Sequence, residues 1–281
     1  YKRQGLKEIT AASGRSARKA WKRLLPSLQE SLEQADAAYI MVGVGGLEVI
    51  EIIPKSLPLY VYIHERNKGI DDDVLHRNLD GSFKRPMWIT NLALSYLRRW
   101  DKKWHRFLWN RPKTIVSANT PTSARTLASA HGWPTLDSWV AGETEFRDDA
   151  KRPAGVGVLW PAIDPLAWPA EPSSEEQEVW AKFERKPTTS YLVTIGRACF
   201  MKGGFEALAV AQASSMPLVH VGGGETLALK KRAVELNVEL IVMPRINELE
   251  LVALVRHAHA LIAVARTEGF GLTPMEAVMV N

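Results

Sequence analysis

Eight short apolar runs, most of them parted by stretches long enough for a helix, constrain the fold of this chain more than any other feature. They span 39–44, 57–63, 114–117, 156–160, 191–195, 217–221, 238–243 and 260–265. Each is rich in β-branched or aromatic residues and reads as a strand. Between the later runs the spacing turns helical. Phe205, Leu208, Ala209 and Ala213 fall at i, i+3, i+4 and i+8, and Leu251, Leu254, Val255 and Ala258 at i, i+3, i+4 and i+7. Strands that are apolar on both faces and alternate with helices are those of parallel sheets covered on both sides. The predicted class is α/β, built from Rossmann-like parallel-sheet domains.

A chain of 281 residues is too long for one ordinary core and suits two domains. Composition changes over 166–190, where Pro169, Pro172 and Pro187 surround Glu175, Glu176 and Glu178. The predicted boundary lies near residue 155, giving domains 1–155 and 156–281, although the run 156–160 suits either half. Both ends read as incomplete: the chain opens in polar, helix-like sequence and stops without a closing strand, which would leave a sheet edge unpaired. No apolar run approaches the ~20 residues of a membrane span. Tyr1-Lys2-Arg3-Gln4 leads into polar sequence, unlike a signal peptide. The lone cysteine, Cys199, excludes an internal disulfide and a cysteine-rich zinc site. A cytoplasmic location is expected.

The formal charge is +5, and the cations are bunched. Arg15, Arg18, Lys19, Lys22 and Arg23 surround Trp21, while Arg98, Arg99, Lys102, Lys103, Arg106 and Arg111 alternate with Trp100, Trp104, Phe107 and Trp109. One reading is a solvated helix face. The other is attraction to an anionic substrate or to lipid headgroups at the inner membrane face, with aromatics at the interface. No nucleic-acid motif accompanies the charge, so no nucleic-acid partner is expected.

Three strand-to-helix turns carry residues suited to a phosphorylated ligand. In Arg266-Thr267-Glu268-Gly269-Phe270-Gly271-Leu272-Thr273-Pro274-Met275-Glu276, the glycines permit close backbone approach and the following helix N-terminus suits a phosphate. Thr273 reads as the N-cap and Pro274 as the first helical residue. Glu276 then either faces a ligand or merely closes a capping box on its own helix. In Gly196-Arg197-Ala198-Cys199-Phe200-Met201-Lys202-Gly203-Gly204, two cations flank a turn. They form either a diphosphate clamp or two exposed loop residues. Val221-Gly222-Gly223-Gly224-Glu225 is a weaker signal, as is Val42-Gly43-Val44-Gly45-Gly46, and neither has the spacing of a dinucleotide fingerprint. Asp71-Asp72-Asp73 contains an Asp-x-Asp pattern but reads as a solvated, charged loop rather than a metal site.

In this order the motifs resemble the retaining glycosyltransferases of GT-B fold in family 4, the glycosyl transferases group 1. The likeness is specific over 192–280 and fainter upstream. There Val116-Ser117-Ala118-Asn119, followed by Thr126-Leu127 and His131-Gly132, is similar to the family's last N-domain strand and helix. Trp160-Pro161-Ala162-Ile163-Asp164 is similar to its linker. The resemblance implies two Rossmann-like domains facing a cleft, and a hexose moved from a nucleoside-diphosphate sugar to an acceptor hydroxyl without a metal or other cofactor. The acceptor would be a glycan, a lipid-linked sugar or a small molecule. Arg197 and Lys202 would hold the diphosphate, and Glu268 with the Gly269, Phe270, Gly271 and Leu272 backbone would hold the sugar and distal phosphate. Glu276 would reach the ribose, His64 would face the donor sugar, and Gly196, Gly222 and the backbone beside Arg245 would line the nucleotide.

The chain departs from the family pattern at Val264-Ala265, where Pro-Ser is usual, and at Pro161-Ala162, where Asn-Gly is common. Neither position carries the chemistry invoked. Competing readings are a GT-B sugar phosphorylase or sugar-phosphate synthase, a catalytically silent nucleotide-sugar or glycan-binding module, and, least supported, a nicotinamide-dependent oxidoreductase.

Overall fold

The computed structural model describes residues 15–42, 46–64, 66–135 and 155–280. The Gly43-Val44-Gly45 part of the first glycine cluster lies outside them. The chain divides into two compact units: unit 1 is 1–72 with 87–160, and unit 2 is 73–86 with 161–281.

Unit 1 begins with helix α1 (Arg15–Gln34) and strands β1 (Ala38–Val42) and β2 (Leu59–Ile63). Helix α2 (Met87–Trp109), strand β3 (Thr114–Ala118), helix α3 (Pro121–His131) and strand β4 (Val156–Val158) follow. The sheet is parallel throughout, in the order β1-β2-β3-β4. Leu59, Val61, Val116, Ala118 and Val156 are fully buried, as their unbroken apolar runs predict. Trp21, Leu25, Leu28 and Leu32 of α1 pack on this core, and α2 contributes Trp104, Leu108 and Trp109.

Unit 2 contains helix α4 (Ser174–Lys182), strand β5 (Leu192–Ile195), helix α5 (Gly204–Ser214) and strand β6 (Leu218–Val221). Helix α6 (Thr226–Glu235), strand β7 (Leu240–Met243), helix α7 (Glu248–Arg256), the short strand β8 (Ala260–Leu261) and helix α8 (Leu272–Met279) complete it. Its sheet is also parallel, in the order β7-β6-β5-β8.

Three expectations are corrected. The strand placed at the head of the second domain pairs with β3 instead, so the boundary falls after Trp160 and not at 155. Residues 73–86, read as part of the first domain, belong to unit 2, where Leu79 is buried among Leu192, Ala207, Leu208 and Leu229. In α5 the buried stripe is Gly204, Ala207, Leu208 and Ala211, whereas Ala209 and Ala213 are exposed. Alanine lies all round this helix, so apolarity alone does not mark its inner face.

Some of the bunched cations are committed within the protein, while Lys19, Arg23, Arg99, Lys102, Lys103 and Arg106 are exposed. Arg18 makes a two-pronged hydrogen bond to Glu51, both contacts 2.5 Å, and Lys22 adds an ion pair at 3.3 Å. Arg111 is buried and donates to the Pro54 and Leu57 carbonyls at 2.6 and 2.8 Å. The Asp71-Asp72-Asp73 run is charged and partly solvated, as read, but its carboxylates are paired. Arg66 pairs with Asp71 and Asp72, and Arg77 pairs with Asp73. These pairings leave that run a structural role.

Candidate nucleotide-sugar site

The carboxyl ends of β5 and β6 turn at Gly196 and Gly222, and the two turns are zipped together. Gly196 N–H bonds the Val221 carbonyl at 2.9 Å, Ala198 N–H bonds the Gly223 carbonyl at 2.7 Å, and Glu225 N–H bonds the Ala198 carbonyl at 2.8 Å. Gly222 has φ +141°, and a Cβ there would stand 2.0 Å from the Gly196 oxygen. Any side chain would force the turns apart. Arg197 is exposed, and its stem lies across Gly224.

The second cation motif meets the third. A single 3-10 turn, Phe200–Lys202, ends at Gly203 (φ +70°), where a Cβ would stand 2.2 Å from the Val264 oxygen. The Arg266 N–H bonds the Met201 carbonyl at 2.9 Å, and the Arg266 guanidinium lies 3.8 Å over the Phe200 ring and pairs with Glu206. Lys202 Nζ then reaches Glu268 Oε2 at 2.5 Å. Two residues 66 positions apart, assigned to one ligand on sequence grounds, are thus adjacent.

Helix ends mark the same edge. Helices α3, α4 and α7 carry side-chain N-caps from Thr120, Ser173 and Asn247, but α5, α6 and α8 have none. These last three start where the turns after β5, β6 and β8 end. Their first N–H groups and positive dipole ends face a position no side chain of their own caps. That is the arrangement that binds phosphate.

The helix-start reading of Thr273 is corrected: α8 begins at Leu272 behind Gly271, which takes the left-handed conformation (φ +87°), and no side chain caps it. Glycine adopts that conformation cheaply, so the helix starts earlier. The capping box therefore does not form, and Glu276 is not committed to its own helix end. Burial, with a smaller contribution from Glu248, pushes the half-buried Glu276 carboxyl above its ordinary value. Gly269 and Phe270 precede α8, and Arg245 is exposed in the loop after β7. His64 follows β2 in unit 1, its ring 4.7 Å from that of Tyr62.

The contribution of 73–86 was not legible in the sequence. Leu79 N–H donates to Glu225 Oε2 at 2.8 Å, and Lys84 pairs with Glu225 Oε1 at 3.5 Å. The guanidinium of Arg77 lies 4.0 Å over Phe83 and 5.5 Å over Phe200. Glu225, beside the glycine cluster, is thereby occupied by protein. Nothing in local spacing signals this, because one apolar residue in a polar segment carries the anchor.

Comparison with solved structures gives the same architecture. The α,α-trehalose-phosphate synthase (UDP-forming) of Burkholderia vietnamiensis superposes with a TM-score of 0.56 at 12% identity, over 98% of this chain and 61% of that one. WaaG, a glycosyltransferase involved in lipopolysaccharide biosynthesis, gives 0.54 at 16% identity, over 93% and 61%. Anabaena Alr3699/HepE in complex with UDP gives 0.54 at 12% identity, over 93% and 61%. The fold is GT-B. This GT-B chain spans about three-fifths of the length of those structures. Residues 175–281 match the family model of glycosyl transferases group 1, a segment that holds all three glycine-bearing turns of the site. No curated protein matches the chain.

Proposed function

We propose that this GT-B chain is the greater part of a retaining glycosyltransferase that moves a hexose from a nucleoside-diphosphate sugar to an acceptor hydroxyl, without a metal. The observation that carries the reading is the set of three helix N-termini without a side-chain capping hydrogen bond beside Arg197 and the Lys202–Glu268 pair. In the reaction the bond from the sugar's anomeric carbon to the diphosphate oxygen breaks, and negative charge grows on the diphosphate. Preorganised cations and helix-end amides stabilise that charge directly. Arg197 supplies a planar fork and Lys202 a point charge, the work a cation does in other transferases. Glu268 leaves Lys202 for the sugar when the diphosphate arrives, and Glu276 takes the ribose hydroxyls. The acceptor oxygen attacks from the face the leaving group vacates and passes its proton to a donor phosphate oxygen, which retains the anomeric configuration. His64 is assigned to the donor sugar, and Arg245 and Gly222 to the nucleotide.

UDP is the first base to test, since the HepE structures include complexes with UDP and with UDP-glucose. The test is a thermal-shift panel of UDP, GDP, ADP, their sugars and NAD in EDTA, on the native chain and on Arg197→Ala. One nucleoside diphosphate should stabilise the native chain, by about 2.7 kcal/mol at a hundred times its Kd, and should do nothing for the variant. Silence from every nucleotide defeats the proposal. Stabilisation by NAD alone turns it to an oxidoreductase. An inverted product anomer defeats the retaining course.

A sugar-phosphate synthase is the second reading, favoured by the trehalose-phosphate synthase fold match. A sugar phosphate as the best acceptor selects it.

The acceptor side is assigned to a membrane surface. On α2, Trp88, Leu92 and Tyr96 are exposed, and Arg99, Lys103 and Arg106 continue the same sector of about 80° at 100° per residue. An apolar aromatic stripe running into cations suits the anionic headgroup boundary. Among the described residues no helix is long and apolar enough to cross a membrane; the contact proposed is a peripheral one. Sedimentation with anionic but not zwitterionic vesicles, lost in Trp88→Ser/Leu92→Ser, is the expected result. Equal binding to both vesicle types refutes it.

A further inference from the structure

Among the described residues, outside those assigned to the nucleotide-sugar, one cluster of metal-ligating side chains stands out, in unit 1 where α2 meets the end of α3. Asp101 and His105 sit one turn apart on α2, and His131 is the last residue of α3. One donor atom of each side chain lies within 4.8 Å of the other two. Asp101 Oδ2 is 3.1 Å from His105 Nδ1. Two ligands on a tetrahedral zinc, each bonded at about 2.0–2.1 Å, stand about 3.3 Å apart; the Asp101–His105 pair has that spacing, and His105 Nδ1 must exchange its 2.9 Å hydrogen bond with the Asp101 carbonyl for the metal.

We propose that Asp101, His105 and His131 form a binding site for zinc or a similar borderline divalent cation, clipping α2 to α3, with water in the fourth position. Two imidazoles and one carboxylate are the ligand chemistry of such ions rather than of calcium or magnesium. The third ligand must move in by about 1.5 Å to complete a tetrahedron. His131 is placed to do so. It is partly buried at a helix end, and the next residue, Gly132, takes the left-handed conformation that ends the helix.

The surroundings fit a dry, shaped site. The rings of His105 and His131 stack at 3.8 Å, and Trp133 packs against both at 5.6 and 5.0 Å. Trp109 stacks on Trp133 at 4.7 Å. Binding turns the His131 ring out of its stack, and the metal bonds replace that contact. Lys102 and Arg66 are the nearby cations that oppose a metal, and Arg66 is engaged by Asp71 and Asp72. The cluster includes no residue assigned to the nucleotide-sugar, so it leaves metal-free transfer untouched.

The experiment is titration of the EDTA-stripped full chain with Zn²⁺ by calorimetry, and with Co²⁺ by visible absorption. The expected result is a single equivalent bound, with the intense d–d bands of tetrahedral cobalt. His131→Phe keeps a ring in the stack but removes the ligand. It should weaken Zn²⁺ at least about tenfold, the smaller effect of losing even an outer-sphere partner, and abolish the cobalt bands. Asp101→Asn is the second variant, used if the first does not fold, and should give the same loss. Absence of cobalt bands from the native chain overturns the site, as do unchanged affinity and spectrum in a folded variant. The UDP thermal shift, measured alongside, should be the same with and without EDTA.

Discussion

The carboxylate of Glu225 accepts the backbone N–H of Leu79 at 2.8 Å across 146 positions of sequence. That bond, with the burial of Leu79, ties a segment from the first third of the chain to the core behind the glycine turns of β5 and β6. Leu79→Ala should destabilise unit 2, and not unit 1, by about 2–5 kcal/mol, the range for a large-to-small change in a core. Urea unfolding followed by a unit-specific probe measures it. Loss from unit 1 instead would place 73–86 with the wrong body. Glu225→Gln should cost less than Glu225→Ala, since an amide oxygen can still accept the Leu79 N–H.

Arg256 anchors the other side of unit 2. It makes two hydrogen bonds to the buried Glu176, at 2.8 and 3.2 Å, and donates to the Pro169, Ala170 and Val280 carbonyls. Removing Glu176 leaves the largely buried Arg256 charge with carbonyl partners only. Glu176→Ala should therefore lose about 3–5 kcal/mol, far more than loss of the exposed Lys182–Glu178 pair. Chemical denaturation of both variants decides it, and equal losses would contradict the burial argument.

How much of this was legible in the sequence depended on whether one residue type carried one meaning. All eight strands were, because each is an unbroken apolar run, although β1 turns Tyr39 and Met41 to solvent and only β2 to β6 are largely buried on both faces. The three glycine-bearing turns were legible through glycines whose missing side chains the backbone contacts require, as at Gly222 and Gly203. The buried face of α5 was not, because alanine suits either side of a helix. Nor was Arg111, a cation in a basic run that proves to be buried and bonded to carbonyls. Segment 73–86 and the Asp101–His105–His131 cluster escaped for a shared reason: each is made by residues distant in sequence and unremarkable by themselves.

The Lys202–Glu268 pair separates stability from function. Its side chains are 31% and 42% exposed, so its worth to folding is small, under about 1 kcal/mol. If Lys202 holds the leaving diphosphate, Lys202→Met should lower kcat/KM about a hundredfold, the effect of losing one preorganised donor to a developing charge, with little change in Tm. A fall in Tm without a kinetic effect would make the pair structural.

Acid should act on unit 1 through Glu51. The Arg18 hydrogen bonds, opposed by partial burial and aided by Lys22, hold its carboxyl down to about 2, against 4.5 for the ordinary group. A carboxyl depressed by folding binds its proton more readily in the unfolded chain, so its stabilisation is complete above about 4.5 and is lost as pH falls towards about 2. Unit 1 should thus weaken through this window, and Glu51→Gln, which holds no titrating proton, should be less stable at neutral pH yet lose less on acidification. Urea midpoints of the two proteins between pH 6 and roughly 2.5, converging as pH falls, are the expected pattern. Parallel curves would mean that Arg18 and Glu51 are not paired in solution, and that the basic face of α1 is as free as its sequence suggests.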